Sequence, residues 1–162
     1  MQLTEQTREL VIPNVTRRFG RPFRIDEVDL SDLETLHRLN LAIFEEQRII
    51  NTFDREDLLV LLAYVGDVPV GFKVGYRENR FTFYSAKGGV LDEYRRCGIA
   101  RALLFEMMER ARERGYRRFA FDTFPNRHAG MAIMGFVHGF RLVKADYNPM
   151  YKDYRLRLEK KL

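Results

Sequence analysis

At 162 residues, with 46% hydrophobic and 31% charged side chains, the chain is long enough to bury a sizeable core and too balanced in composition for general disorder. Its longest uncharged apolar run, Leu58 to Val65, is far short of the ~20 residues a membrane helix needs, and Met1-Gln2-Leu3-Thr4-Glu5-Gln6 lacks the basic-then-apolar order of a secretory leader. The net charge of +5 fits a polyanionic partner or a solvated basic surface, and the lone Cys97 excludes an internal disulfide, which fits a cytoplasmic setting.

Residues 1–20 carry only short apolar pieces around Pro13 and read as an N-terminal extension whose role the sequence leaves open; residues 21–162 read as one domain. A strand is expected at Phe23 to Val28, where apolar and charged residues roughly alternate. Ser31 and Glu34 have the spacing of a capping box, which predicts a helix from Asp32 to about Glu46 with Leu33, Leu36, Leu39, Leu41 and Phe44 on its apolar face. Thr52 or Asp54 is placed to cap a second, short helix. Leu59 to Val65 and Val68 to Tyr76 read as strands joined by a tight turn at Gly66-Asp67, and Phe81 to Leu91 as a third.

From Ala100 onward Leu103, Leu104, Met107, Met108 and Ala111 recur at three- and four-residue steps, the signature of an amphipathic helix. Gly115 stands where such a helix wants a left-handed residue. A strand at Arg118 to Phe124, a helix from Ala129 to His138, and two strands near Phe140 to Tyr147 and Tyr151 to Leu158 complete the chain. Strand–helix–strand across residues 81–124 implies a right-handed crossover between parallel neighbours. The fold class is therefore α/β (α+β-like), a mixed and mostly antiparallel sheet flanked by helices.

One segment carries chemistry. Gly88 to Arg101 is a strand end followed by a basic, glycine-containing turn that opens directly into the clearest helix. The first N–H groups of a helix have no intrahelical partner and sit at the positive end of its dipole, so a pyrophosphate placed there accepts several hydrogen bonds at once. Gly98 and Ala100 lack bulk, and Arg95, Arg96 and Arg101 add charged donors. Spacing alone is equally compatible with an ordinary strand-to-helix turn bearing solvated arginines.

Arg95, Gly98 and Ala100 hold the three defining positions of a run that resembles motif A of the GCN5-related N-acetyltransferases (GNAT). Asn126, the helix around Met131 to Met134, and Gly139-Phe140 resemble the motif that follows it. The resemblance implies acetyl-CoA as co-substrate, with no metal. It places the cofactor against Val90, Leu91, Asp92, Arg95, Arg96, Cys97, Gly98, Ile99, Ala100, Arg101 and Asn126. It also implies a V-shaped gap, where the strand ending at Leu91 splays from Arg118 to Phe124 and frees main-chain groups for the pantetheine arm. An amine-bearing acceptor of unnamed identity then attacks directly in a ternary complex.

Two departures from the family pattern concern proton transfer. The position where relatives carry a catalytic tyrosine is Gly135, and the position of a frequent glutamate base is Tyr84. Tyr84 and Ser85 are therefore the candidates for orienting a water, with Tyr147 or Tyr151 near the sulfur. Glu45 and Glu46 read as a solvated helix end, and Asp122 either faces the gap or pairs with a partner. His128 and His138 belong to no metal-ligand pattern. These departures keep a second reading open, a CoA-binding or sensing module that has lost catalysis. The pI of about 9.5 suggests nucleic acid, but no recognised basic helix or aromatic motif supports it. No membrane segment is expected, and a homodimer stays open.

Overall fold

A computed structural model describes residues 7–162; the opening six residues, on which the leader reading rests, lie outside the described residues. Among the described residues eight strands form one sheet in the order β1-β2-β3-β4-β5-β6-β8-β7. They are β1 (Thr7–Leu10), β2 (Phe23–Glu27), β3 (Leu59–Val65), β4 (Val68–Arg77), β5 (Thr82–Val90), β6 (Arg118–Thr123), β7 (Arg141–Asn148) and β8 (Asp153–Lys161). Four helices join them: α1 (Pro13–Phe19), α2 (Glu34–Phe44), α3 (Ile99–Glu113) and α4 (Ala129–Val137). Every neighbouring pair is antiparallel except β5–β6. The mixed sheet and its single parallel pair are those expected from the strand–helix–strand pattern.

Both faces of the central sheet are covered, which explains why β3 reads as one apolar run rather than an alternation. On one face Phe83, Phe119, Phe121, Leu103, Leu104 and Met107 form the larger core beneath α3. On the other, Leu36 and Leu39 of α2 meet Val60, Leu62, Phe72 and Val74. Each fully buried side chain of this kind contributes about 1.5–3 kcal/mol relative to exposure, so these two layers fix the sheet against which the site is built.

Several local expectations are corrected. The capping box does not form: α2 starts at Glu34, whose N–H takes Asp32 Oδ1 at 3.3 Å, and Ser31 instead donates its own N–H to Asp29 Oδ1 at 2.9 Å. The helix stops at Phe44 because Glu45 turns left-handed (φ 57°), and Leu41 lies on the exposed side. No helix forms at Thr52–Asp54; the Thr52 hydroxyl closes a local turn by accepting the Asp54 N–H at 3.0 Å. Short-range side-chain-to-backbone bonds competed with the helix at both places.

The segment left without a role by the sequence joins the same sheet. β1 pairs with β2, Val15 of α1 is fully buried in the larger core, and α1 reaches the turn that precedes α3.

Candidate functional site

The geometry of the site begins where a ladder stops. β5 and β6 pair from Thr82–Arg118 to Ser85–Phe121 and no further, although β5 continues to Val90 on its β4 side. Residues 86–90 therefore have no β6 partner along this edge, where Gly88 is exposed and the Val90 carbonyl is taken by Arg95. The splay expected between these strands is present, and it opens four residues before β5 ends. Unpaired N–H and C=O groups on a strand edge are strong hydrogen-bonding groups awaiting partners, which suits the amides of a pantetheine arm.

Beyond Val90 the chain makes a single 3₁₀ turn at Asp92–Tyr94, then turns at Arg96 (φ 61°) and Gly98 (φ 96°) into α3. No side chain caps this helix at Gly98, and Gly98 and Ala100 at its start are exposed, while the Ile99 N–H lies against the buried Cys97 sulfur. That is the arrangement an anionic group needs. Arg96 and Arg101 are exposed beside it, and the Arg101 guanidinium lies 5.3 Å from the Phe105 ring centroid. Arg95 is partly occupied within the turn: Nε donates to the Val90 carbonyl at 3.0 Å and Nη1 lies 2.8 Å from Asp92 Oδ1. Cys97 is buried, its thiol donating to the Tyr94 carbonyl at 2.9 Å, and burial pushes its pKa up. It fills the turn from inside, while Leu91 packs toward the α2 core and Ile99 toward the α3 core.

The turn is held from outside by α1. Arg18 donates to the carbonyls of Arg95 and Glu93, both at 2.8 Å, and Phe19 packs on Tyr94 with ring centroids 4.6 Å apart. Ile12 stands 3.4 Å from the point where a Cβ on Gly98 would be. No spacing along the chain points to this contact, because its partners are 75 and 77 residues apart. A groove of about 530 Å³ runs from Gly98 and Arg101 along α3 between Ile12 and Phe105.

The candidates for proton handling fall on different faces. Tyr84 lies on the α2 side, where its hydroxyl donates to Asp122 Oδ2 at 2.6 Å. Burial first, then that hydrogen bond, holds its pKa far above the ordinary phenol value. Tyr84 is thus a neutral donor and accepts from water through its lone pairs; it is no base. Asp122 is paired, one residue beyond the last β5–β6 ladder pair. Tyr76 and Arg157 flank Tyr84 at 5.6 and 5.8 Å. Ser85 is buried on the opposite, α3 side, beside Phe83 in alternation.

Tyr147 and Tyr151 do not meet Tyr84 and Ser85. Tyr147 is exposed at the sheet edge against Tyr154, and Tyr151 packs at a tilt on Phe124, ring centroids 5.1 Å apart. Asn126 donates to Asp153 Oδ1 at 3.0 Å, tying the β6 end to β8, and His128 rather than Asn126 holds the N-cap of α4. Gly135 has a steric cause: a Cβ there would stand 2.9 Å from both Leu158 Cδ1 and Phe121 Cζ. A larger residue there would have to push aside the ends of both side chains. Glu46, read as part of a solvated helix end, pairs with Lys87 of β5, which also donates to the Arg48 carbonyl at 3.0 Å. That clamp walls the α2 side of the gap.

Among the described residues no group of three or more His, Cys, Asp or Glu is placed to hold a metal ion, and no helix is long and apolar enough to cross a membrane.

A sheet splayed at one parallel pair, with an uncapped helix N-terminus at the mouth of the splay, is an arrangement that suits an anionic ligand. The acetyltransferase (GNAT) domain model matches residues 47–128, and the chain belongs to that family. Solved structures share the fold. A GNAT family acetyltransferase from Elizabethkingia anophelis with acetyl-CoA bound superposes with a TM-score of 0.74 at 17% identity, covering 86% of this chain and 98% of that one. The GNAT domain of S. lividans PAT gives 0.75 at 20% identity with both chains fully covered. The ribosomal-protein-S18-alanine N-acetyltransferase from Escherichia coli gives 0.73 at 15% identity, covering 86% and 93%. No curated protein matches the sequence significantly.

Proposed function

We propose that this protein transfers the acetyl group of acetyl-CoA to a primary amine by direct attack in a ternary complex. The observation that carries the reading is the early end of the β5–β6 ladder at Ser85–Phe121, directly upstream of the uncapped α3 N-terminus. The residues present fit the donor. Main chain without a β6 partner around Gly88 suits pantetheine amides, the N–H groups of the first turn of α3 suit a pyrophosphate, and Arg96 and Arg101 add positive charge. When bound, the donor supplies an activated thioester whose carbonyl a main-chain N–H in the splay can polarise.

The acceptor enters from the α2 side, where Tyr84, Asp122 and the Glu46–Lys87 clamp lie. A free amine of lysine type is mostly protonated at neutral pH, its pKa being ~10.4. Tyr84, with its own proton committed to Asp122, orients a water that carries the amine's proton away. Ser85 closes the other side of the ladder's end.

A CoA-binding module without catalysis is favoured by one observation, the crowding that a tyrosine would meet at Gly135. Free-thiol release from acetyl-CoA across a panel of primary amines, run beside calorimetric titration of CoA, separates the two. Amine-dependent thiol release supports transfer. CoA binding with no release from any amine supports the module.

A further inference from the structure

One charged side chain in the sheet has no part in this account. Lys73 lies in the middle of β4, only 5% exposed, in register with Leu61 of β3 and Gly88 of β5. Its neighbours Phe72 and Val74 face the α2 core, so Lys73 faces α3. Among the described residues it has no hydrogen bond and no ion pair. Leu61 and Gly88 bring no charge to it, and the buried charged residue of α3, Glu106, is paired with Arg8 and Arg110. Burial alone lowers the Lys73 pKa to about 8. A buried amine with no partner is an arrangement that folded proteins seldom keep without a use.

A glycine sets where the amine goes. A Cβ on Gly88 would stand 3.3 Å from Lys73 Cγ and 3.6 Å from Nζ. Lys73 therefore lies across Gly88, and any side chain at 88 would have to displace it. Gly88 is exposed and sits on the stretch of β5 that has no β6 partner. The amine is thus carried over β5 to the free edge of the splay, on the face that also bears α3.

We propose that Lys73 is the counter-charge and proton donor for the thiolate that leaves in acyl transfer. The inference rests on the reading that the thioester occupies the splay. As the acceptor nitrogen bonds to the carbonyl carbon, the carbon–sulfur bond breaks and its electron pair passes to sulfur. The Lys73 ammonium pairs with that thiolate and gives it a proton, leaving a free thiol and a neutral amine. The proton lost by the acceptor amine returns to Lys73 through solvent, so charge and protons balance over a turnover. An ordinary thiol has a pKa of ~8.5, close to that of this buried amine, so the proton passes without a large uphill step. The role falls to a strand residue because α4 carries Gly135, whose surroundings oppose an acid there.

The test needs no knowledge of the acceptor. CoA is bound to the full chain and its thiolate followed by ultraviolet absorbance against pH, as a difference from the ligand-free protein. The wild type is expected to raise the thiolate fraction of bound CoA at neutral pH by at least about ten-fold over free CoA, one pKa unit. Lys73→Met should return it to the free value while still binding CoA, and Lys73→Arg should keep it raised. If Lys73→Met does not fold, the wild type and Lys73→Arg decide the matter between them. Ordinary thiol ionisation in a wild-type protein that binds CoA overturns the inference and leaves the acyl-CoA reading standing. So does a raised thiolate fraction that survives in Lys73→Met. Failure of the wild type to bind CoA at all overturns both.

Discussion

The Tyr84 hydroxyl donates to Asp122 Oδ2 at 2.6 Å, bridging β5 and β6 immediately beside the point where the two strands part. The pair has one proton to share and one carboxylate to hold it, so the phenol stays neutral through the physiological range. Removing the hydroxyl by Tyr84→Phe takes away the group that orients water and leaves Asp122 without this donor. Amine acetylation is expected to fall roughly 10- to 100-fold, below the ~10²–10⁴ of a dedicated acid–base residue. CoA affinity measured by calorimetry should be unchanged. A thousandfold loss would mean that Tyr84 itself exchanges the proton.

Gly98 enters α3 at φ 96° and is exposed. A β-branched residue there is strained by about 1–3 kcal/mol and shields the first N–H groups of the helix. Gly98→Val is expected to weaken CoA binding at least ~10-fold, about 1.4 kcal/mol, with the circular dichroism of the folded protein retained. Full affinity in a folded variant would remove the turn from the cofactor site.

Arg18 touches no ligand position, yet it holds the carbonyls of Glu93 and Arg95. Its loss should let the turn sample other conformations, so that binding must re-order it. Arg18→Ala is expected to lower CoA affinity roughly three- to ten-fold, with the loss confined to affinity rather than turnover. Arg18→Lys, which cannot span both carbonyls, should restore little of it. An affinity equal to the wild type would reduce the contact to a surface detail.

The pH dependence of stability carries a second signature of Lys73. Its folded pKa of about 8 lies below the ordinary lysine value of 10.5. Below about pH 8 the folded and unfolded chains are both protonated there, and the folded chain bears the whole cost of burying the charge. Between about 8 and 10.5 the folded chain releases the proton while the unfolded chain keeps it, so stability rises with pH. Urea unfolding of the wild type should show a gain across that window relative to Lys73→Met, and Lys73→Met should be the more stable protein at neutral pH. A Lys73→Met protein less stable than the wild type at pH 7 would contradict the buried, unpaired charge.

The sequence revealed what is local and periodic. The α3 repeat from Leu103 to Ala111, the Gly66-Asp67 hairpin and the turn through Arg95, Gly98 and Ala100 each lie within a short stretch, and each is where it was expected. Boundaries set by competing side chains were not legible: Asp29 and Asp32 displaced the Ser31 cap, and Glu45 ended α2 with a left-handed residue. Contacts between distant residues were invisible for a different reason. Tyr84 with Asp122 and Lys73 with Gly88 depend on strand register, Arg18 with Arg95 on where α1 docks, and no spacing in the chain encodes which arginine or lysine will end opposite which partner. The lysine within β4 was concealed further, since an alternating strand admits a charge at any outward position and only the covered second face makes this one costly.

The close seat of α4 also limits how the catalytic apparatus could change. A tyrosine at position 135 is opposed by its surroundings, because its first carbon would stand 2.9 Å from the side-chain ends of Phe121 and Leu158. Both would have to give way together, and each sits in the core that holds β6 and β8 in place. A lineage with this packing is steered toward proton donors rooted in the sheet itself. An engineer seeking a faster variant would do better to vary residues lining the free edge of β5 than to restore a phenol on the helix.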